Sequence, residues 1–490
     1  MTSTTDNTIE LGSTMADVGT GGNDSWASQG AGDKFQVPMG DDTVGTDSSE
    51  SSSEISDSKG VDINCGIGSA RTPWYGTMLL LLSDVMGTGV LSLPFAAVTL
   101  GWAVTMTSIP LFAIFAGYSG FLLNRVKMAY PKVQSFADAA RELVGPRFGL
   151  FTQICMLLNW GALAIYFLIA TADGIGAIYN QGFFSCSLNR SIIAAIILII
   201  PTQCRDFHAI STYLSMPSFL AILAAVIIVI VCLIEQTKGS SVAFGATTTV
   251  GPAPGKSTLD FFGSLSSIVF AYQGQSIFME LMTEMKHKRQ FPKACNLAYA
   301  IMCFVYSFVV ITAYGVQGKD TPGFLPEILQ TGAAKTTVGV LVVLHITVSY
   351  VIAVQPFHMW LHSIAFPKTY QCESRKASLH WLLLTVGYIM FGWVIANLIP
   401  FFADVQSLIG AMFGAPIVFG WPTLFYILVN KRKTTGGTWR ETLSYIGWKH
   451  SFVCCLFLFV FTPLFTIVGT VASVKWIVQD AQNSGAPFQC

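Results

Sequence analysis

Long runs of apolar residues with almost no charged positions recur along the chain between residues 74 and 476. Runs of about 18–20 apolar residues are long enough to cross the hydrocarbon core of a membrane as a helix, whereas barrel strands would alternate apolar and polar positions in shorter segments. The pattern therefore predicts an all-α polytopic membrane protein, with an even number of spans as the alternative to eleven. The predicted spans lie near residues 74–97, 101–124, 149–176, 191–204, 212–235, 261–284, 295–317, 337–365, 380–401, 404–429 and 451–476.

The two ends of the chain are polar, in contrast to this apolar region. Residues 1–60 contain eleven acidic residues against two lysines, and no apolar run. A segment of this composition buries too little apolar surface to offset its ordering entropy. We therefore predict a disordered acidic tail over residues 1–71, which serves phosphoregulation or trafficking or is simply solvated. A transmembrane domain over residues 72–476 and a short C-terminal tail over residues 477–490 complete the predicted organisation.

Composition and the positions of the basic residues predict how the domain is oriented. Hydrophobic residues make up 52% of the chain and charged residues only 11%, against about 25% charged residues in a soluble domain. With eleven spans and an internal N-terminus, eighteen Lys and Arg residues fall in the inner loops and six in the outer loops. Because basic residues concentrate on the cytoplasmic side, we predict a cytoplasmic N-terminus and an extracellular C-terminus. Asn189, in an Asn-Arg-Ser sequon, then lies in an outer loop and is a glycosylation candidate.

Residues that weaken helices lie within the first predicted span. Gly87, Gly89 and Pro94 occur in one apolar segment, and both residue types are unfavourable in a helix interior. Non-helical backbone at membrane depth is tolerated where it lines a cavity, and the free amides of an unwound helix bind an anion such as a carboxylate. The alternative is that the two glycines only let a neighbouring helix pack closely.

A second interruption, in the sixth predicted span, favours a binding site over simple packing. Gly274 follows the predicted start of that span by thirteen residues, as Gly87 follows the start of the first. Matching breaks in two halves of a chain are typical of secondary transporters built from inverted repeats, whose site lies between the breaks. The pattern therefore predicts a transporter with its site between these two glycines.

The motifs around both breaks resemble those of the amino acid/auxin permease family, within the amino acid–polyamine–cation superfamily. The similarity covers roughly residues 72–476 and not the acidic tail, whose length is similar to that of kinetoplastid members. The matching segments are residues 87–96 (GTGVLSLPFA), 100–102 (LGW), 270–275 (FAYQGQ), 284–286 (EMK), 291–293 (FPK), 409–411 (IGA) and 422–426 (PTLFY).

The resemblance implies a LeuT-like fold, in which spans one to five and six to ten form two inverted repeats and an eleventh span is appended. It also implies an amino acid permease, which we expect in the plasma membrane, with a vacuolar or lysosomal membrane as the alternative. By analogy with the family, the carboxylate of the substrate would meet the amides of Gly87–Gly89 and the hydroxyl group of Thr88.

The same analogy assigns the other end of the substrate. The ammonium group would meet carbonyl groups near the first break and around Ala271, Tyr272 and Gly274. Tyr166 in the third span would touch the carboxylate or cap the pocket, and Asn159, two turns earlier, would line the cavity. The alternative for both side chains is packing between helices.

Asp84 is the most informative ionisable residue, one turn before Gly87. An acid within a span is costly and faces a cavity or a partner, and many family members carry an uncharged residue near this position. Three roles fit: anchoring a cationic side chain, binding a coupling proton or sodium ion, or pairing with Arg71 or another cation. The first role predicts arginine or lysine as the substrate, and the second leaves a neutral amino acid such as proline or alanine.

The eighth predicted span contains further candidates for ion coupling, namely His345, Thr347 and Ser349. A histidine titrates near the working pH range, while hydroxyl groups in this span supply sodium ligands in related folds, so both proton and sodium remain candidates. His358 and His362 are spaced like metal ligands. Since no carboxylate or cysteine accompanies them, we interpret them as packing residues and expect no metal.

Two other classes of function compete with transport. An integral membrane enzyme is one, but the sequence carries no metal-ligand set, nucleophile elbow or phosphate-binding loop. A nutrient-sensing receptor that binds an amino acid and signals through the acidic tail is the other. We therefore expect a permease whose partners are an amino acid, a proton or sodium ion and membrane lipid, with no cofactor and no nucleic acid.

Overall fold

The computed structural model describes residues 72–205, 213–239, 243–370, 374–399, 401–434, 438–483 and 488, so the predicted acidic tail lies outside it. Within these ranges the secondary structure is helical except for one isolated β-bridge, between Thr72 and Met285. The all-α prediction is confirmed. The helices are α1 (Trp74–Val90), α2 (Leu93–Ala129), α3 (Phe136–Leu143), α4 (Pro146–Ile178), α5 (Ser187–Ile199), α6 (Ser215–Gly239), α7 (Thr258–Ala271), α8 (Phe278–Glu284), α9 (Phe291–Gln317), α10 (Ala333–Ala365), α11 (Arg375–Leu398), α12 (Phe402–Lys433), α13 (Trp439–Ile446) and α14 (Trp448–Gln482).

Each predicted span coincides with helix in the described part of the chain. Eight helices there are long and apolar enough to cross a membrane, α5 is a shorter apolar helix, and the first and sixth predicted spans are interrupted. The last helix continues past residue 476 to Gln482, and the boundary of the C-terminal tail stays a prediction. The division into two five-helix repeats and an eleventh span stays a prediction.

A corner at Gly101 separates the first two spans. Gly101 has φ 72° and ψ 178° within α2, a backbone conformation that favours glycine. A Cβ atom at this position would also lie only 2.1 Å from the carbonyl oxygen of Gly251. The corner agrees with the predicted boundary between these spans, at the Leu-Gly-Trp motif.

The first interruption lies just beyond the predicted one. α1 remains helical through both glycines to Val90, and the chain leaves the helix at Leu91–Ser92 before α2 begins. The predicted unwinding at Gly87–Gly89 is therefore wrong. Pro94 accounts for the observed position, because a proline ring clashes with the carbonyl group four residues earlier, here that of the last residue of α1.

The second interruption lies where the sequence predicts it. α7 ends at Ala271, a 3-10 turn covers Gln275–Ile277, and α8 begins at Phe278, so the α-helix is broken around Gly274. α1 and α7 pack against each other, and both α6 and α10 pack against α1. The fold therefore brings the two interrupted segments together inside the bundle.

Candidate functional site

The two interrupted segments are in direct contact. A Cβ atom on Gly274 would lie 2.6 Å from Cγ2 of Val85 on α1, and one on Gly89 would lie 2.8 Å from Cα of Ala271 at the end of α7. These separations leave no room for a larger residue at either glycine. The predicted location of the site, between the first and sixth spans, thus corresponds to a real junction of the two helices.

Gly87 and Gly89 permit this packing and do not unwind α1. A Cβ atom on Gly87 would lie 1.4 Å from Nε2 of His345 on α10. Because α1 is helical here, the amides of Gly87–Gly89 are engaged inside the helix. The close-packing interpretation therefore explains both glycines, and a carboxylate contact through them stays a prediction. The side chain of Thr88 lies outside the described part of the structure.

Two tyrosines of α9 donate hydrogen bonds to the carbonyl groups at the junction. The hydroxyl group of Tyr306 donates to the carbonyl group of Ala271 at 3.0 Å and lies 3.3 Å from those of Val85 and Met86. The hydroxyl group of Tyr299 donates to the carbonyl group of Tyr272 at 3.0 Å. The carbonyl groups that the sequence assigned to the substrate ammonium already have a partner within the protein.

Asn159 of α4 reaches the second interruption, while its lining of a substrate cavity stays a prediction. Nε2 of Gln273 donates to Oδ1 of Asn159 at 2.7 Å. Nδ2 of Asn159 and Oε1 of Gln273 are buried and have no hydrogen-bond partner among the described residues. This pair therefore presents one free donor and one free acceptor next to the break in the helix.

Tyr166 lies beside the junction and is hydrogen-bonded to Gln406 of α12. Its hydroxyl group donates to Oε1 of Gln406 at 2.8 Å, and its ring lies between Phe402 and Phe270, at centroid distances of 4.7 and 4.9 Å. The hydroxyl group of Ser92, in the first interruption, donates to the same Oε1 at 2.5 Å. Tyr166 is thus hydrogen-bonded within the protein beside the junction, and its capping of a substrate pocket stays a prediction.

Asp84 is buried beside the second interruption, with 9% of its surface exposed. Val85, the next residue of α1, faces Gly274 at the break, where a Cβ atom on the glycine would lie 2.6 Å from Cγ2 of Val85. No hydrogen bond or ion pair joins Asp84 to another described residue. Arg71, one of its predicted partners, lies outside the described residues.

His345 and Ser349 lie together where α10 meets α1. Nδ1 of His345 is 3.0 Å from the carbonyl oxygen and 2.9 Å from the hydroxyl oxygen of Ser218 on α6. Nε2 lies 3.3 Å from Oγ of Ser349, whose hydroxyl group donates to the carbonyl group of Ser83 at 2.6 Å. Two of the ion-coupling candidates therefore contact α1 directly.

Thr347 and Asn189 are not brought to the site. The hydroxyl group of Thr347 donates to the carbonyl group of Val343, one turn earlier in its own helix, at 2.7 Å. Nδ2 of Asn189, in the first turn of α5, donates to the carbonyl group of Phe183 at 2.9 Å. Thr347 is thus a helix-internal hydroxyl here, and glycosylation at Asn189 stays a prediction.

The sequence interpretation missed four residues at the junction: Gln273, Tyr299, Tyr306 and Gln406. The two tyrosines are spaced by seven residues, which places them on one face of α9, and this spacing was a usable signal. Gln273 lies within the motif of the sixth span, but the family resemblance assigned the substrate contact to its neighbours Ala271, Tyr272 and Gly274. Gln406 carries no comparable pattern.

Comparison with known proteins places this architecture among amino acid transporters. A family model described as transmembrane amino acid transporter protein matches residues 70–468. Amino acid transporter AVT1J of Arabidopsis thaliana is 27% identical over 376 residues, which cover 75% of this chain and 84% of the relative. Lysine histidine transporter-like 3 of the same species is 21% identical over 441 residues, covering 85% of this chain and 92% of the relative.

The solved structure of MhsT in complex with L-phenylalanine has a similar fold. Its TM-score is 0.55 at 12% sequence identity, over 84% of this chain and 100% of that chain. At this identity the likeness concerns the fold alone, and it agrees with the predicted LeuT-like class. With the family model matching most of its length, the chain belongs to the transmembrane amino acid transporter family and is a multi-pass membrane transporter of amino acids, not an enzyme.

Proposed function

We propose that the chain is a secondary active transporter for cationic amino acids, in which Asp84 holds the side-chain charge of the substrate. The observation that carries this proposal is the buried Asp84 carboxylate, which has no ion-pair partner in the described structure. An ionised carboxylate left unpaired inside a membrane protein is expensive. A substrate that brings a positive charge offsets that cost for as long as it is bound.

Arginine is the better fit of the two common cationic substrates. Its guanidinium group is planar and pairs with a carboxylate through two parallel hydrogen bonds, whereas the lysine ammonium group acts as a point charge. Among the relatives, one carries lysine and histidine in its name. Both have basic side chains, which supports a cationic substrate class for this chain.

Asn159 and Gln273 are proposed to recognise the backbone of the amino acid. The free Nδ2 donor of Asn159 suits the substrate carboxylate, and the free Oε1 acceptor of Gln273 suits its ammonium group. The carbonyl groups of Ala271 and Tyr272 accept hydrogen bonds from α9, so the ammonium group would share them. The zwitterion would thus lie beside the second interruption.

We propose a proton as the coupling ion and His345 as its carrier. The carbonyl oxygen of Ser218 can only accept, and Oγ of Ser349 also acts as an acceptor because its proton goes to Ser83. A neutral imidazole donates from one nitrogen only, whereas an imidazolium donates from both. The hydroxyl group of Ser218, 2.9 Å from Nδ1, can instead donate to a neutral ring. The contacts therefore accommodate both the neutral and the protonated ring, which rests against Gly87.

The charged groups near His345 are few. α1 brings Asp84, one turn from Gly87, and α6 carries no charged residue before Glu235. Protonation of His345 therefore adds an unneutralised charge unless Asp84 or the substrate compensates it. Sodium held by Ser349 and the α1 carbonyl groups is the alternative that the experiment below distinguishes.

For the membrane, we propose the plasma membrane with the N-terminus in the cytoplasm. Cys186, between α4 and α5, is disulfide-bonded. Disulfides persist in oxidising compartments and are rare in the cytosol, which supports an outer position for the α4–α5 connection. The same bond fits a vacuolar or lysosomal lumen, and localisation of a tagged chain distinguishes these membranes.

The decisive experiment is uptake into proteoliposomes by purified wild type and Asp84→Asn over a panel of amino acids. We expect the wild type to take up arginine and lysine in response to an inward proton gradient. Asp84→Asn should lose both substrates while still binding a neutral amino acid. Asp320→Asn, at an exposed acid after α9, is the matched control and should transport normally.

Each contradicting result has a specific meaning. Unchanged arginine transport by Asp84→Asn, or a wild type that accepts only proline or alanine, removes Asp84 from substrate recognition. A sodium gradient that drives uptake where a proton gradient does not assigns coupling to sodium. Binding without uptake under any gradient makes the protein a sensor.

A further inference from the structure

Gln406 on α12 makes three hydrogen bonds near the site, and it is 0% exposed. Its Oε1 accepts hydrogen bonds from the hydroxyl groups of Ser92 and Tyr166, at 2.5 and 2.8 Å. Its Nε2 donates to the carbonyl group of Ser267 on α7 at 3.3 Å. One side chain therefore joins four parts of the bundle: the first interruption, α4, α7 and α12.

The chemistry of this position suits an amide. Two hydroxyl groups need an acceptor, and one carbonyl group, one turn before the end of α7, accepts a further hydrogen bond besides its helical one. A carboxylate would accept from both hydroxyl groups but could not donate to Ser267, and an apolar side chain would do neither. Leaving buried polar groups without partners costs far more than a net hydrogen bond contributes, so the match between Gln406 and its partners is specific.

An aromatic cover surrounds this amide. The Tyr166 ring stacks on Phe402 at 4.7 Å and meets Phe270 at 4.9 Å, and Phe324 packs against Phe402 at 5.1 Å. Phe324 belongs to the α9–α10 connection, which the sequence places on the outer side. The cover therefore lies between the helix junction and the predicted outer surface, and a solute arriving from that side must part it.

We propose that Gln406 is the latch of this outer closure, whose hydrogen bonds must break before an amino acid enters from outside. The proposal rests on the transport function proposed above. In this proposal Gln406 is a positioning residue, because Gln406 acts on Ser92 and Tyr166 and does not contact the substrate. Only molecules that are open to the outside bind outside substrate, so a larger closed fraction weakens the apparent affinity for that substrate. Weakening the latch should therefore lower the KM for outside substrate and, because closure becomes less favourable, lower kcat as well.

Transport kinetics of Gln406→Leu and Gln406→Glu test this proposal. We expect Gln406→Leu to lower both KM and kcat by about fivefold or more, the order expected for losing a hydrogen bond. A protonated glutamic acid can donate to Ser267, whereas its carboxylate cannot. Relative to wild type at the same pH, Gln406→Glu should therefore behave normally in acid. In alkali it should change KM and kcat in the same direction as Gln406→Leu but by less, because its carboxylate still accepts from Ser92 and Tyr166.

Gln355→Leu on α10 is the matched control, since Gln355 is a buried glutamine that donates to the carbonyl group of Arg205, away from this cover. It should leave KM unchanged. A fall of kcat in Gln406→Leu at constant KM, or identical behaviour of Gln406→Glu at all pH values, would assign Gln406 a purely structural role and overturn the latch.

A second measurement does not depend on the substrate. Asn159 lies two turns from Tyr166 on the inner side of the cover, so Asn159→Cys should react slowly with a membrane-impermeant thiol reagent added outside. Adding Gln406→Leu should accelerate that reaction severalfold, and adding Gln355→Leu should not. Equal rates in all three backgrounds overturn the latch. A wild type that moves no amino acid refutes transport instead, and the labelling rates then decide on the latch alone.

Discussion

The two helix interruptions differ in what satisfies their exposed backbone groups. At the first, the carbonyl group of Leu91 accepts a hydrogen bond from the amide of Leu325 at 2.8 Å, and Ser92 binds Gln406. These partners come from the α9–α10 connection and from α12. The first interruption is therefore held by elements far from it in the chain, through a few separable hydrogen bonds.

The second interruption is held mainly from within and by α9, with one further contact from α4 through Asn159 and Gln273. The amide of Gly274 donates to Oε1 of the adjacent Gln275 at 3.0 Å. Tyr299 and Tyr306, both on α9, bind the carbonyl groups that α7 exposes at its end. From this difference we expect the first interruption to move more readily than the second, which rests on α9 as a fixed platform.

The largest expected effect concerns how closely α1 must approach α10. Gly87→Ala would place a Cβ atom 1.4 Å from Nε2 of His345, and this ring cannot easily yield because Ser218 and Ser349 hold both of its nitrogens. Overpacking of this kind costs about 3 kcal/mol at the upper end of its usual range. We expect a clearly lowered Tm of the purified protein and loss of uptake.

Two further variants show whether the collision is the cause. Gly387 lies in α11, and a Cβ atom at this position would meet no other atom within 4 Å, so Gly387→Ala should leave Tm unchanged or slightly raised. Combining Gly87→Ala with His345→Ala should recover much of the lost Tm. A wild-type Tm for Gly87→Ala alone would mean that α1 is free to shift, and the contrast between the interruptions would lose its basis.

A smaller effect is expected where the second interruption rests on α9. Tyr306→Phe removes the hydroxyl group that binds the carbonyl group of Ala271, and an unsatisfied buried acceptor costs about 1–2 kcal/mol. Tyr350→Phe is the matched control, because the Tyr350 hydroxyl group is buried without a hydrogen-bond partner among the described residues. Thermal unfolding should separate the two variants, and equal Tm values would argue against the platform.

These contrasts also show what the sequence could reveal. Gly274 marked the second interruption correctly, because the glycine there coincides with the non-helical residues. In the first span the glycines pointed to the wrong place, since Pro94 sets the break and Gly87 serves a tertiary contact with His345 that a single sequence does not display. The role of Gln406 was not predictable for the same reason. Its partners lie more than a hundred residues away from it in the chain, and an isolated glutamine in a span has no periodic pattern.

The smallest expected effect concerns the loop that caps the first interruption. Burial raises the pKa of Glu327 above its ordinary range, against the opposing charges of Lys335 and Arg190, and Glu327 follows Leu325 by two residues. At pH values between the ordinary and the raised pKa, Glu327 therefore keeps its proton in the folded chain and has lost it in the unfolded chain. The contribution to stability is complete below the ordinary glutamate pKa of about 4.3 and is lost as the pH rises through the raised pKa.

Glu327→Gln should accordingly flatten the dependence of Tm on pH in weakly acidic buffer and slow hydrogen exchange at the Leu325 amide at neutral pH. Glu235→Gln, at a side chain that is 61% exposed and paired with Lys238, supplies the control and should keep the wild-type slope. If neither substitution changes hydrogen exchange at Leu325, the hydrogen bond from Leu325 to the carbonyl group of Leu91 does not depend on Glu327. The first interruption would then depend on Ser92 and Gln406.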